Sequence, residues 1–241
     1  MPTLAASGCQ IEPLGEDILL LRFGAGIDRD TNARVHAAAE LLRRVEMPGL
    51  IDLIPAYATL ALHYDAPFWA GRDGEPPWRH LAGTLEAVFA TPPRLAADEG
   101  RLVEIPVCYG GESGPDLAAV AAHAALDADS VIARHVGRDY RVAMLGFAAG
   151  FPYLLGLDPG LQMPRRAQPR LRVPAGSVAI GGAQTGIYPA QLPGGWHLIG
   201  RTPLRLFDPA RAQPSLLLPG DRVRFRAIEA DEFTRLAAAT A

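Results

Sequence analysis

The chain has 241 residues, of which 49% are hydrophobic and 20% charged, with a formal net charge of -3. That composition fits a folded globular protein of one large domain or two modest ones; it excludes a disordered chain, a polybasic nucleic-acid binder and a polybasic membrane anchor. All 23 basic residues are arginine, which rules out a Schiff-base lysine, a lysine general base, a biotinyl-lysine site and a Walker A loop.

Cys9 and Cys108 show no CxxC or zinc-like spacing, and the first residues lack the basic-then-apolar pattern of a secretory signal. No apolar run of about eighteen residues is available to span a bilayer. Reduced packing cysteines, no metal and a cytoplasmic location are therefore expected.

In chain order, Ile11 to Leu14 and Ile18 to Phe23 are short apolar runs separated by Gly15-Glu16-Asp17, which reads as a hairpin. Asp30 or Thr31 can cap a helix whose apolar positions Val35, Ala38, Leu42 and Val45 recur at helical spacing, with Pro48-Gly49 closing it. A second strand pair (Ile51 to Ile54, Thr59 to Tyr64) and a helix over Trp78 to Phe89 complete an α+β sandwich, one sheet covered by two helices. Residues 91–100 hold two prolines, a glycine and several charges and read as a linker. The domains are set at 1–95 and 96–241.

Beyond the linker, Leu102 to Tyr109 alternates as a strand, Gly110 to Pro115 breaks it, and a short helix from Asp116 carries Leu117, Val120 and Ala124 in register. Ser130 is positioned to cap a helical turn leading to His135. From Tyr140 the texture changes: β-prone pieces (Arg141 to Leu145, Ser177 to Ile180, Trp196 to Ile199, Val223 to Ala227) alternate with glycine and proline, and no helix of useful length fits between Gly146 and Gly220. That pattern predicts a β-barrel or sandwich with long irregular loops, where binding sites tend to sit.

Five stretches come in a telling order: Tyr109-Gly110-Gly111 with Gly114-Pro115-Asp116-Leu117; Gly146-Phe147-Ala148-Ala149-Gly150-Phe151-Pro152-Tyr153-Leu154; Pro164-Arg165-Arg166 with Pro169 to Val178; Gly186-Ile187-Tyr188-Pro189; and Pro193-Gly194-Gly195-Trp196-His197 on to Thr202. Together they resemble the family of 5-oxoprolinase B subunits, also known as the KipI or allophanate hydrolase subunit 1 family, across essentially the whole chain. One departure is Ala149, where relatives commonly carry proline.

The resemblance implies a small α/β N-terminal domain followed by a cyclophilin-like β-barrel. It implies two partner chains, the homologous barrel-bearing C subunit and the A subunit of 5-oxoprolinase, and ATP-dependent opening of 5-oxo-L-proline to L-glutamate. The chain would bind no cofactor alone, with ATP and a divalent cation such as Mg used by the complex; it would be inactive by itself and would bind neither nucleic acid nor membrane. Two alternatives stand beside it: a histidine-kinase-inhibiting binding protein, and half of a biotin-dependent urea or allophanate carboxyltransferase domain.

Opening a lactam against equilibrium requires activation of the amide oxygen, cations for carboxylate and phosphate, donors for an oxyanion and a base for water. Arg170 and Arg172 stand two apart, on one face of an extended segment, and planar guanidiniums suit carboxylate or phosphate. Ser177 is either a donor or a plain turn residue, and Gln184 and Tyr188 sit in the next glycine-rich loop, able to orient an amide. Trp196 offers an apolar floor for a small ring or is core, and its preceding glycines let a ligand approach closely. His135 is the base candidate that the resemblance implies, or else a histidine anchoring a loop. His197 is either half-buried core or pocket wall.

Overall fold

The computed structural model describes residues 4–6, 8–71, 73–90 and 100–240. The chain divides into two compact units, Met1–Glu99 and Gly100–Ala241. The expected boundary at 95/96 and the linker around it fall on 91–99, outside the described residues.

The first unit runs β1 (Leu4–Ala6), β2 (Cys9–Pro13), β3 (Ile18–Arg22), α1 (Arg29–Val45), β4 (Leu50–Pro55), β5 (Thr59–Tyr64), the single turn α2 (Ala66–Trp69) and α3 (Pro77–Val88). Its sheet is antiparallel in the order β1-β2-β3-β5-β4. The period of two is plain in β5, where Leu60, Leu62 and Tyr64 are buried, and they meet Val35, Ala38, Ala39 and Leu42 of α1 and Trp78, Leu81, Ala82 and Leu85 of α3 in one core. The cap of α1 is Asp28, whose carboxylate accepts the Thr31 N–H at 2.8 Å, two or three residues ahead of the expected caps. Thr31 and Asn32 are instead turned inward, where the Asn32 amide donates to the carbonyls of Ala56 and Tyr57. Val45 lies off the buried stripe, and the helix ends at Glu46 in a left-handed conformation before Pro48-Gly49 is reached.

The second unit runs β6 (Leu102–Tyr109), α4 (Leu117–His123), α5 (Ala128–Val136), β7 (Asp139–Leu145), β8 (Pro152–Leu155), β9 (Arg170–Val173), β10 (Ser177–Gly181), β11 (Gln184–Ile187), β12 (Leu192–Gly194), β13 (His197–Arg201), β14 (Arg222–Ala227) and α6 (Ala230–Thr240). Seven strands close into a barrel in the order β10-β11-β8-β7-β14-β6-β13, with β14 parallel to β6. Closure leaves no edge exposed. Ile105, Val107, Val142, Leu154, Val178, Ile180, Ile187, Ile199, Val223 and Phe225 fill it. The cap of α5 is Asp127, which accepts the Ser130 N–H at 2.7 Å, so Ser130 lies inside the helix's first turn and is not the cap.

Outside the barrel, β9 and β12 form a separate two-stranded arm. Strand β10 is buried along its whole length because the barrel interior covers one face and an aromatic layer beneath the arm covers the other. Among the described residues, no helix is long and apolar enough to cross a membrane.

Candidate functional site

The stretch from Met163 to Val173 lies across the barrel wall like a strap. Met163 bridges to Gly182, the Arg166 N–H donates to Gly195 O at 2.8 Å, and the His197 Nε2–H donates to Pro164 O at 2.9 Å. Beneath the arm, Phe151, Tyr188, Trp196 and Leu198 pack with Val173 and Ala179. The rings meet edge to face: Phe151 lies 5.2 Å from Tyr188 and 5.7 Å from Trp196, and Tyr153 lies 5.9 Å from Trp196.

Two glycines near Trp196 are required by this packing. A Cβ at Gly181 would stand 2.6 Å from the indole, and one at Gly194 would collide with the Tyr188 hydroxyl. Of the two glycines before Trp196, Gly194 therefore makes room for the chain's own Tyr188 and not for a ligand, whereas a Cβ at Gly195 would make only ordinary contacts, at 3.7 Å or more.

Asp116 fastens the strap to the barrel. Its buried carboxylate accepts Arg170 Nη1 and Nη2 at 2.8 Å each, Arg166 Nη1 at 3.2 Å and the Leu198 N–H at 2.8 Å. Burial opposes ionisation, but the bonds from Arg170 and Leu198 and the charges of Arg170 and Arg166 outweigh it, and the carboxyl is held below its ordinary range. Arg170 is thereby committed to an internal carboxylate, in the two-pronged geometry expected of it toward substrate.

Arg172, two residues along β9, is exposed and pairs with no carboxylate among the described residues. Arg165 is likewise exposed and without such a pair, its guanidinium 5.7 Å from the centre of the Trp196 ring. Its charge also reaches the Tyr188 hydroxyl. Arg201 donates from Nε to Ala175 O at 2.8 Å.

His135 is fully enclosed in the barrel. Thr185 donates its hydroxyl proton to Ala179 O at 2.9 Å, so at His135 the hydroxyl accepts from Nε2–H at 3.2 Å, and Nδ1 accepts from the Tyr109 hydroxyl at 2.8 Å. The ring lies 4.5 Å from Phe225, and burial drives its pKa down to about 3. With both nitrogens engaged and no exposed surface, this histidine is a neutral packing group, and the expectation of a base there is corrected.

The remaining expected residues are only partly gathered. Tyr188 and Trp196 share the aromatic layer. Ser177 is 1% exposed at the start of β10. Gln184 is half-buried and pairs with Gly181 at the strand's far end, about 13 Å from Ser177.

The loop joining β7 to β8 was legible in the sequence as a family motif, but no site residue was expected in it. The Ala148 N–H donates to Gly146 O at 2.7 Å around Phe147, whose φ of 68° makes this the rarer and strained form of γ-turn. Such a conformation costs a bulky residue about 1–3 kcal/mol. The Phe147 ring is nonetheless 60% exposed, with edge-to-face contacts to Phe151 at 5.3 Å and Tyr188 at 6.3 Å. Gly146 and Gly150 on either side were the signal available in the sequence.

The class of this closed barrel with its strapped aromatic face is given by the family match: residues 9–217 fit the model of the carboxyltransferase domain, subdomain C and D. The chain is 43% identical over 235 residues to the 5-oxoprolinase B subunit of Bacillus subtilis, covering 93% of this chain and 95% of that protein. It is 58% identical over 148 residues to the protein of the same name from Haemophilus influenzae, covering 61% and 69% respectively. The chain belongs to the family of 5-oxoprolinase B subunits, as its motifs led one to expect. A crystal structure of TTHA0988 matches with a TM-score of 0.74 and 44% identity, over 88% of this chain; this chain spans 40% of that longer one.

Proposed function

We propose that this chain is the B subunit of an ATP-dependent 5-oxoprolinase, opening 5-oxo-L-proline to L-glutamate only together with its A and C subunits. The observation that carries the reading is its 43% identity, over 93% of its length, to a protein named as the B subunit of 5-oxoprolinase. The barrel rim supports it, because a small anionic ring suits exposed guanidiniums beside an aromatic layer.

In this reading Arg172 binds the substrate carboxylate or the phosphoryl group that activates its amide oxygen. Tyr188, Trp196 and Arg165 form the adjoining wall, Gln184 contributes an amide at its margin, and Ser177 supports the wall from beneath. Arg170 acts through Asp116 by holding β9 in place. The ATP γ-phosphoryl group passes to the amide oxygen with release of ADP, one water adds to the activated carbon, the ring C–N bond breaks to leave an acyl phosphate, and a second water releases phosphate and the glutamate carboxylate. ATP and its divalent cation sit mainly on the partner subunits, since a chain without lysine has no P-loop. A cytoplasmic complex is the setting this chemistry suits.

The test is glutamate release from 5-oxoproline and ATP by the chain co-expressed with its A and C subunits. Activity only with all three present, reduced at least tenfold in kcat/KM by Arg172→Ala, is expected. A folded, ATP-competent three-subunit complex that releases no glutamate would sink the reading.

A further inference from the structure

The loop Gly146 to Phe151 contains a cost that folding does not explain. Phe147 is held at a φ of 68° by the 2.7 Å bond between Gly146 O and the Ala148 N–H. The loop is closed below by bonds from Phe151 N–H to Ala148 O at 3.0 Å and from Gly146 N–H to Phe151 O at 3.2 Å. Glycine would occupy such a position freely. A bulky ring kept there and left 60% exposed is disfavoured by the backbone and gains little from burial. Among the described residues, the other non-glycine positions with positive φ differ: Glu46 ends a helix and Ala125 has almost no side chain.

The ring is also fixed in direction. Phe151 and Tyr188 meet it nearly perpendicular, at 78° and 88°, so the ring is braced from two sides while most of its surface remains exposed. Tyr188 in turn lies within the charge field of Arg165 and Arg170. Phe147 joins through Phe151 the aromatic layer whose Trp196 carries the Arg165 guanidinium, and an exposed ring on such a layer suits a small ring that is apolar on its sides and anionic at one end. The loop's own neighbours, Gly146, Ala148, Ala149 and Gly150, are too small to supply the broad apolar patch a protein interface requires.

We propose that Phe147 is a specificity-determining residue, its strained turn presenting the ring to the non-polar sides of the substrate's five-membered ring. This rests on the proposed oxoprolinase reading and adds a contact to the same rim.

The experiment compares Phe147→Gly, Phe147→Ala and Phe147→Tyr in the complete three-subunit complex, once the wild-type complex is shown to be active. Gly and Ala are both expected to raise KM for 5-oxoproline by about tenfold with a smaller change in kcat, and Tyr to recover most of that loss. Thermal unfolding of the chain is expected to place the Gly variant above the Ala variant, the reverse of their usual order, because only glycine relaxes at this φ. An unchanged KM in both variants overturns the proposal, as does an Ala variant more stable than the Gly one. Loss of assembly with the partner subunits would overturn it too, making the ring a protein contact. An inactive wild-type complex removes the oxoprolinase reading and this inference together, a result distinct from an active complex indifferent to Phe147.

Discussion

In the first unit, Arg44 reaches Glu40 one turn back on α1 and Arg79 reaches Glu75 just ahead of α3, each four residues away, with all four side chains roughly half exposed or more. In the second, Arg170 crosses 54 positions to a carboxylate that is 7% exposed, and Arg101 crosses 120 to Asp221. Arg222 and Arg224 of β14 converge on Asp139 of β7, and Arg226 reaches Glu104 of β6. Surface pairs at helical spacing add little to stability, because water screens them and ordering two long side chains costs entropy. Pairs that join distant segments fix which loop lies against which strand. Both units have apolar cores, but in the first Arg22, Arg43, Arg44 and Arg79 pair with carboxylates no more than 10 positions away, whereas the barrel unit adds arginine pairs that join segments 50 or more positions apart.

The sharpest way to break this contrast is Asp116→Ala. It leaves Arg166 and Arg170 without their shared carboxylate and the Leu198 N–H without its acceptor, so a loss of about 3 kcal/mol is expected in urea unfolding of the barrel unit. A change below about 1 kcal/mol would show that the strap is held by packing alone.

A second test uses pH. His135 binds its proton far more weakly folded, with a pKa of about 3, than unfolded, near the ordinary 6.5. Below pH 6.5 the unfolded chain therefore takes up the proton first. The stability this site contributes is complete above that pH and is lost as pH falls toward 3, at up to about 1.4 kcal/mol per pH unit. Between pH 6.5 and 4.5, His135→Gln should flatten the pH dependence of unfolding relative to wild type. Parallel curves would refute the sealed, neutral histidine.

The smallest effect is expected from Glu40→Ala in the first unit, less than about 0.5 kcal/mol by urea unfolding, since its partners Arg43 and Arg44 are mostly exposed. A loss comparable to that of Asp116→Ala would erase the distinction between the two units.

Much was legible from the chain alone. The alternation of β5, the 3.6-residue spacing of α1 and the glycine- and proline-broken texture after Tyr140 each reflect which neighbours along the chain share a face, and those patterns survive folding. The ordered motifs placed the family, and the absence of lysine set firm limits on chemistry. What the sequence could not decide is what each guanidinium faces. Arg170 and Arg172 are equivalent in sequence, yet folding brings Asp116 to one and not to the other. His135, Gly181 and Gly194 likewise took their meaning from side chains elsewhere in the chain: 50 and 26 positions away for His135, 15 for Gly181 and 6 for Gly194. Local periodicity is written in adjacent residues, but charge compensation and burial depend on contacts that exist only after the barrel has closed.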